Sequence, residues 1–385
     1  MRVLVIASRF PWPSYTGDRM RATIWLSALA PHARVALVAP EGEIPPGNRA
    51  FEFYPAPRSL ARGVRAGLAV LRDRLPLQSL LAAPYDWEGP IAAARRDFDG
   101  FDATVVVLAR ADPWVRESIP EGTRILDAID SLRRNAEERG NAASKLSRWF
   151  WRQEERRLAR AELDASRAYD RIVVVSDEET SQFGANAVAI VNSVVVAPLD
   201  LNAPRRFDFG FWGRLAYFAN ADAALWLIGE IWPMILERRP SASCVIAGAD
   251  APRSIRRAAE RRGIALLSPV DDISTLARSV RVALIPIRYG SGQLNKVLEA
   301  SEAGCSIVAT RQALRGLAPF LPHVLLAADP SAFAKAAIDL LEPEVGAGMA
   351  AGLRRVVATN YSRDQVLAQL ADIAGVRNVP EAVTA

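Results

Sequence analysis

Short runs of β-branched and aliphatic residues alternate with longer segments of helical spacing along the whole chain of 385 residues. Strands that alternate with helices form parallel sheets covered on both faces, because each parallel connection needs a crossover. The strand candidates are Val3–Ala7, Arg34–Val38, Ala103–Leu108, Arg124–Ala128, Arg171–Ser176 and Ala187–Val191 in the first half, and Asp208–Gly213, Ser243–Gly248, Ile264–Leu267, Val282–Ile287, Ser306–Thr310 and Val324–Ala328 in the second. The pattern therefore predicts an α/β protein of two doubly wound, Rossmann-like domains.

The segment Asn192–Arg206 separates the two sets of strands. It contains two prolines and little periodicity, which is typical of a linker. We expect an N-terminal domain over residues 1–198, a second domain over 205–360, and a C-terminal helix with a polar tail over 361–385. Two such domains are expected to face each other across a cleft, where a ligand would bind.

Composition excludes several classes of function. The sequence after the first strand has one glycine where a dinucleotide fingerprint needs three, so a dehydrogenase is disfavoured. Only two cysteines and two histidines occur, which is too few for a zinc cluster, and the pattern indicates a reducing cytoplasm. No uncharged stretch is long enough to predict a membrane-spanning helix. The net charge of +5 suits an anionic ligand or an anionic membrane, and no motif points to nucleic acid.

The most informative motif runs from Tyr289 to Thr310, between two apolar strands. Gly290 and Gly292 permit a sharp turn, and a helix follows, so the motif lies where the carboxyl end of a strand meets a helix N-terminus. Exposed N–H groups there attract phosphate, and Lys296 would add a full positive charge. Glu299, one turn further, would accept hydrogen bonds from a ribose diol. The alternative is an exposed Lys–Glu pair of small energetic effect.

A second stretch, "FWGRL", ends the first strand of the second half at Gly213 and places Arg214 at the same carboxyl edge. Arg214 and Lys296 could therefore hold one diphosphate between them.

Several stretches of the sequence resemble a known family. The stretches "FWGRL", "CVIAGAD", "LLSPVDDISTLARSVRVALIPI" and "GSGQLNKVLEASEAGCSIVAT" are similar, in order and spacing, to the nucleotide-sugar-binding half of GT-B glycosyltransferases of family 4. "RFPWPSYTGDRMRA" and "NADAALWL" look most like sugar transferases of bacterial exopolysaccharide clusters, including the exosortase-associated branch. The resemblance implies transfer of a sugar from a nucleoside diphosphate donor with retention of configuration, without a metal and without a cofactor.

The resemblance also implies roles for individual residues. Arg214 and Lys296 would be the catalytic cations, and the donor site would comprise Gly213, Arg214, Gly290, Ser291, Gly292, Asn295, Lys296 and Glu299. The chain departs from the family pattern at two places: Ser291 stands where many members carry a first glutamate, and no lysine follows Arg214 within two turns.

The acceptor, a glycan or a lipid-linked glycan, would then bind the first domain. Gly17 and Asp18 follow the first strand, and Asp130 follows a later one, so these three residues are the candidates for acceptor binding. For each aspartate a structural role, as the N-cap of the following helix, stays open.

Two segments of the first domain combine basic with apolar residues. Arg58, Arg62, Arg65 and Arg72 form one helical stripe beside another of Leu60, Val64, Leu68, Leu71 and Leu75. Trp149, Phe150 and Trp151 lie among arginines further on. Both patterns suit a helix on an anionic membrane surface, with core packing as the alternative for the first. The protein is thus expected to be cytoplasmic, and peripheral at the inner face of the plasma membrane if the membrane interpretation holds.

Two other functions stay open. A non-catalytic subunit that binds a nucleotide sugar for a partner transferase would explain Ser291 and the missing lysine. A GT-B nucleotide-sugar epimerase would share the donor site but would need more acid and base side chains.

Overall fold

The computed structural model describes residues 1–14, 17–48, 50–142, 144–200, 203–270, 272–290 and 294–376. It divides into two compact units, residues 1–192 with the C-terminal residues from 364 onward, and residues 193–363. The strands are β1 Arg2–Ala7, β2 Arg34–Pro40, β3 Glu52–Ala56, β4 Ala103–Val107, β5 Thr123–Ile129, β6 Arg171–Val174, β7 Ala187–Ala189, β8 Phe207–Trp212, β9 Cys244–Ala247, β10 Ala265–Leu267, β11 Val280–Ile285, β12 Ser306–Ala309 and β13 Leu325–Leu326.

The α-helices are α1 Gly17–Leu29, α2 Leu60–Arg72, α3 Glu88–Phe98, α4 Asp112–Val115, α5 Leu132–Ala142, α6 Lys145–Ala168, α7 Asp177–Thr180, α8 Phe218–Trp226, α9 Trp232–Arg238, α10 Arg253–Arg261, α11 Ile273–Arg278, α12 Asn295–Glu302, α13 Pro330–Asp339, α14 Pro343–Asn360 and α15 Arg363–Ile373. Short 3₁₀ turns occur at Leu77–Leu81, Arg116–Ser118, Gln312–Leu314 and Ala318–His323, and a π-helical turn, Leu227–Ile231, joins α8 to α9.

The first unit is built on a parallel sheet of seven strands in the order β3-β2-β1-β4-β5-β6-β7. All six strands predicted for this half occur. The sequence pattern missed β3, whose residues read EFYPA and are only partly buried. This strand lies at the edge of the sheet, where a proline is tolerated and burial on both faces is not needed. An edge strand therefore lacks the apolar run by which the other strands were recognised.

Both faces of this sheet are covered, which explains the continuous apolar runs. Along β1, Val3 and Val5 face one core, and Leu4 and Ile6 face the other. The C-terminal helix α15 belongs to the first of these cores, where Val366, Leu370 and Ala371 pack with the β1 side chains. Helix α15 thus completes the unit that β1 begins.

The second unit is built on a parallel sheet of six strands in the order β10-β9-β8-β11-β12-β13, and all six predicted strands of this half occur. Both cysteines are buried in this unit, as expected for small core residues. The strand order reverses between β8 and β11, and in the first unit between β1 and β4. The carboxyl ends of the strands at such a reversal are where open α/β sheets bind ligands. None of the helices in the described ranges is both long enough and apolar enough to span a bilayer.

Candidate functional site

The predicted donor-site residues that the structure describes lie in the second unit, at the carboxyl ends of β8 and β11. Gly213 follows β8 with φ of +146°, a conformation that side chains rarely allow, and a Cβ on it would come within 3.3 Å of the Lys296 ammonium. Gly248, after β9, also has positive φ, and a Cβ there would lie 1.8 Å from the Gly213 carbonyl oxygen. Gly213 therefore leaves room for the side chains of Asn220 and Lys296, and Gly248 leaves room for the backbone of Gly213.

Lys296 is held by contacts that pre-position its charge. Its Nζ donates a hydrogen bond to Oδ1 of Asn220 at 2.6 Å and lies 4.5 Å from the centre of the Phe211 ring. The residue is 8% exposed, and its hydrogen-bond acceptor is a neutral amide. Burial therefore lowers the pKa of Lys296 to about 7, against a smaller opposing effect of Glu299. No carboxylate among the described residues lies within ion-pair distance of this Nζ, so a bound anion would stabilise its charged form.

Glu299 lies one turn after Lys296 on α12. The indole Nε1 of Trp212 donates to its Oε2 at 2.8 Å, which orients the carboxylate at the end of β8. Burial raises the pKa of Glu299, while the Trp212 hydrogen bond and the charge of Lys296 lower it. The pair is therefore not the exposed helical pair of the alternative interpretation, since Lys296 is buried and each side chain has its own partner from β8 or α8.

Arg214 is more exposed than Lys296 and already has an anionic partner. Its Nε donates to Asp250 at 2.9 Å, and Asp250 has φ of +57° just beyond β9. The Nδ2 of Asn220 donates to the Arg214 carbonyl at 2.9 Å, while the Oδ1 of the same amide accepts from Lys296. Asn220 thus connects Lys296 to the backbone of Arg214, while Asp250 occupies only the Nε of the Arg214 guanidinium.

The loop between β11 and α12 completes this edge. Gly290 has φ of +124°, and its carbonyl accepts a hydrogen bond from Nε2 of Gln312 at 2.8 Å. Asn295 is the first residue of α12, and the preceding N-cap position is Leu294, whose side chain has no polar atom to cap the helix. The predicted donor residues Ser291 and Gly292 lie outside the described residues.

In the first unit, the predicted acceptor residues lie at the carboxyl edge of the sheet. Gly17 begins α1, and Asp18 is in its first turn rather than at the N-cap. The Asp18 carboxylate lies 3.1 Å from the guanidinium of Arg9, which follows β1. Asp130 follows β5 directly after Ile129, which has φ of +68°. That conformation is unusual for a β-branched residue, and it turns the chain at the position of Asp130.

Asp127 lies in β5, three residues before Asp130, and is fully buried. Its Oδ2 accepts hydrogen bonds of 2.6 Å from Nε of Arg21 and from Nε1 of Trp25, both on α1. Its Oδ1 accepts from the backbone N–H of Ile129 at 3.1 Å. Asp127 therefore ties α1 to the turn that precedes Asp130, and its role is to hold the fold of this edge.

Sequence reasoning missed the partners of the predicted residues: Phe211 and Trp212 in β8, Asn220 in α8 and Asp250 after β9. Trp212 was detectable as an indole directly before Gly213, since buried indoles usually have an acceptor. No local feature of the sequence identified Phe211, Asn220 or Asp250 as partners. No three histidine, cysteine, aspartate or glutamate side chains within the described part of the chain are placed to hold a metal ion.

A comparison with protein families matches residues 206–343, which lie in the second unit, to the model described as "Glycosyl transferases group 1". A search of curated proteins found no significant match.

Solved structures resemble the chain over nearly its whole length. HepE from Anabaena, determined in complex with UDP and glucose, is 14% identical, with 97% of this chain and 99% of that chain covered and a TM-score of 0.67. Sucrose-phosphate synthase from Thermosynechococcus elongatus is 13% identical, with 97% and 98% covered and a TM-score of 0.75. WaaG, a glycosyltransferase involved in lipopolysaccharide biosynthesis, is 16% identical, with 97% and 99% covered and a TM-score of 0.65. These likenesses confirm the predicted fold class, two Rossmann-like α/β domains of the GT-B type.

Proposed function

We propose that the chain is a glycosyltransferase that binds a nucleoside diphosphate sugar at the β8/β11 edge of its second unit. The observation that carries the proposal is the buried ammonium of Lys296. It donates a hydrogen bond to the neutral amide of Asn220 at the β8/β11 strand reversal, and it lies one turn before Glu299. The family match over 206–343 covers every residue of this site. UDP is the first nucleotide to test, because HepE of the same fold was solved with it.

The proposed reaction proceeds with retention and without an obligatory metal. The bond between the anomeric carbon and the phosphate oxygen breaks, an acceptor hydroxyl oxygen takes its place on the same face, and its proton leaves with the diphosphate. Negative charge grows on the departing nucleoside diphosphate. Lys296, Arg214 and the N-terminus of α12 would stabilise that charge, and Lys296 does so best because it is pre-positioned in a desolvated setting. We place the reaction in bacterial polysaccharide or glycoconjugate biosynthesis, with a glycan or lipid-linked acceptor.

Product analysis separates this function from the two alternatives. The purified chain is incubated with a nucleotide sugar labelled in the sugar, and the products are resolved. Slow release of labelled sugar and nucleoside diphosphate would support a transferase, and conversion to another intact nucleotide sugar would show an epimerase. Tight donor binding without any turnover, with or without acceptor extracts, would favour the non-catalytic subunit.

Glu299→Gln is expected to weaken UDP binding by about 1.5–3 kcal/mol, the range for a hydrogen bond to a charged group. The reason is that the carboxylate, oriented by Trp212, would accept both ribose hydroxyls. Calorimetric titration with UDP and with its 2',3'-dideoxy analogue measures the effect. The dideoxy analogue should bind wild type and variant equally. If the variant loses the same affinity for both ligands, Glu299 does not bind the ribose.

We also propose that the first unit attaches to an anionic membrane at the inner face of the plasma membrane. Helix α2 buries Ala66 and Val70 and exposes a ridge of Leu60, Val64 and Leu68, which are 81%, 70% and 66% exposed. On α6, Trp149 and Phe150 are 68% and 42% exposed. Two arginines of the predicted basic stripe are in ion pairs, Arg62 with Asp86 and Arg72 with Asp73. Arg58 and Arg65 are exposed as well, and neither forms an ion pair with a described residue.

An exposed apolar ridge flanked by arginines has the composition of an interfacial helix. Arg58→Gln/Arg65→Gln is expected to weaken binding to anionic vesicles by about 2 kcal/mol, roughly thirtyfold, since each basic residue near such a surface contributes about 1 kcal/mol. Leu60→Ser/Val64→Ser/Leu68→Ser should weaken it as well, whereas the matched control Leu163→Ser/Val345→Ser, exposed on α6 and α14, should not. Co-sedimentation with vesicles measures binding. Wild-type protein that stays in the supernatant at low salt would disprove the attachment.

A further inference from the structure

Three arginines and two carboxylates converge at the carboxyl edge of the first sheet, beside its β1/β4 reversal. Arg9 follows β1, Arg110 follows β4 and Arg139 lies on α5. Asp18 is in the first turn of α1, and Asp130 follows β5. Arg110 is central, because the charges of the other four residues all act on it. The cluster therefore carries one more positive charge than negative.

The guanidinium of Arg110 lacks an anionic partner among the described residues. Its Nε donates to the neutral amide oxygen of Gln78 at 3.3 Å, and no described carboxylate is within ion-pair distance. The residue is half-buried. Burial, followed by the charge of Arg9, lowers the pKa of Arg110. A partly desolvated cation next to like charges is unfavourable on its own, and an incoming anion would offset that cost.

The Asp18 carboxylate lies 3.1 Å from the guanidinium of Arg9. A bound anion would replace Asp18 as the partner of Arg9. A cavity lined by Arg110, Gln78, Asp112 and Glu162 has a volume of about 20 Å³. Such a volume holds a water molecule but not a phosphate group. The anion would therefore bind Arg110 outside this cavity.

The backbone near the cluster is strained at the carboxyl ends of two neighbouring strands, β4 and β5. Leu108, two residues before Arg110, has φ of +75°, and Ile129, directly before Asp130, has φ of +68°. The Leu108 N–H donates to the Asp127 carbonyl at 2.8 Å, and the Ile129 N–H donates to the Asp127 carboxylate at 3.1 Å. Strained residues that are held in this way concentrate at functional sites, where they orient side chains.

We propose that Arg9, Arg110 and Arg139 bind an oxyanion carried by the acceptor, so that the acceptor is an anionic sugar or lipid whose charge is a phosphate or a carboxylate. The inference rests on the proposed function, which assigns the acceptor to the first unit. It adds the chemical class of the acceptor, and it assigns Asp18 the role of a competing carboxylate that the acceptor anion displaces from Arg9.

The test uses the full chain with UDP at saturation, so that the proposed donor site is occupied. Glycerol 3-phosphate and glucuronate are the probes for the two kinds of anion, and glucose is the neutral control. Binding is followed by ligand-observed NMR at low salt. Wild type should bind at least one of the anions and not glucose, and the anion that binds more tightly identifies the charged group.

Arg110→Gln is expected to weaken anion binding at least tenfold, while its UDP affinity stays within twofold of wild type. Asp18→Asn should tighten anion binding severalfold, because it releases Arg9. Arg95→Gln, which removes an exposed arginine of α3, controls for the loss of general charge and should have no effect. Lys296→Met should also leave anion binding unchanged.

Several results would overturn the proposal. Equal anion binding by wild type and Arg110→Gln would place the anion elsewhere, and its loss in Lys296→Met would place it in the donor site. Absence of anion binding by wild type, with UDP binding intact, would refute the acceptor class while leaving the donor site standing. Absence of UDP binding would instead refute the proposed function. If Arg110→Gln fails to fold, Arg9→Gln is the substitute, with the same expected loss.

Discussion

Replacement of Lys296 with methionine is expected to lower the rate of sugar transfer about 100- to 1,000-fold, the usual cost of removing one pre-positioned donor that stabilises transition-state charge. Methionine fills similar space against the Phe211 ring but cannot interact with the leaving diphosphate. The loss should fall mainly on kcat, because charge on the leaving group is largest in the transition state. Steady-state kinetics with the labelled donor measures it. Lys335→Met, at an exposed lysine of α13 paired with Asp339, is the matched control.

The same residue predicts how binding depends on pH. Lys296 has a pKa of about 7 in the free protein, and a bound diphosphate would raise that value. The complex then holds more protons than the free protein, so the UDP affinity should fall as the pH rises from 7 towards 9. Calorimetry at pH 8 in buffers of different ionisation enthalpy should show proton uptake on binding. Lys296→Met should show neither effect. An affinity that is flat between pH 7 and 9 in wild type would mean that Lys296 does not contact the phosphates.

Protein stability gives an independent check on the burial of Lys296. Because the folded-state pKa of about 7 is below the ordinary value of 10.5, the unfolded chain binds more protons between these two values. Stability therefore rises with pH across this window and is lost as the pH falls towards 7. Relative to Lys296→Met, wild type should gain about 2.5 kcal/mol between pH 7.5 and 9.5 in urea unfolding, slightly less than the limiting slope of about 1.4 kcal/mol per pH unit would give. If Lys296 were exposed in the folded protein, wild type and variant would show the same dependence of stability on pH.

Replacement of Asp127 with alanine is expected to destabilise the first unit by about 3–5 kcal/mol, the cost of removing one partner of a buried ion pair. Arg21 and Asp127 are both fully buried, and the carboxylate also accepts hydrogen bonds from Trp25 and Ile129. Alanine leaves the Arg21 charge and two donors without this acceptor. A loss of this size is a large part of the 5–15 kcal/mol that stabilises a typical domain. Urea or thermal unfolding measures it.

Two variants make the Asp127 prediction specific. Asp127→Asn keeps one acceptor oxygen, which can serve either the Oδ2 position that faces Trp25 or the Oδ1 position that faces Ile129, and should be less destabilising than alanine. Asp339→Ala, which breaks the exposed pair with Lys335, should cost no more than about 1 kcal/mol. If Asp127→Ala is no more destabilising than Asp339→Ala, the buried pair does not hold α1 to the sheet. Because Asp127 orients the turn before Asp130, a folded Asp127→Asn variant should also bind acceptor more weakly without losing UDP affinity.

Much of the fold and part of the site could be predicted because their signals are local. Buried parallel strands are apolar on both faces, so twelve of the thirteen strands in the described part of the chain could be identified from short runs of sequence, whereas the edge strand Glu52–Ala56 could not. Lys296 and Glu299 were identifiable because a glycine loop, a cation and a carboxylate fall within ten residues of one another. Helical spacing also indicated that α2 has an apolar stripe, although only the structure shows that Leu60, Val64 and Leu68 are exposed.

The sequence by itself determined the fold class and the two residues of α12, since strand patterning, turn residues and helix spacing act over short stretches of chain. Tertiary structure alone decided the partners of those residues. Lys296 meets Asn220 across 76 residues, Glu299 meets Trp212 across 87, and Arg21 meets Asp127 across 106. It also decided that Arg214 pairs with Asp250 and that α15 packs in the first unit. Such contacts depend on which strands become neighbours, because hydrogen bonds and ion pairs form only at the distances that the completed sheets impose, and no local pattern encodes those distances.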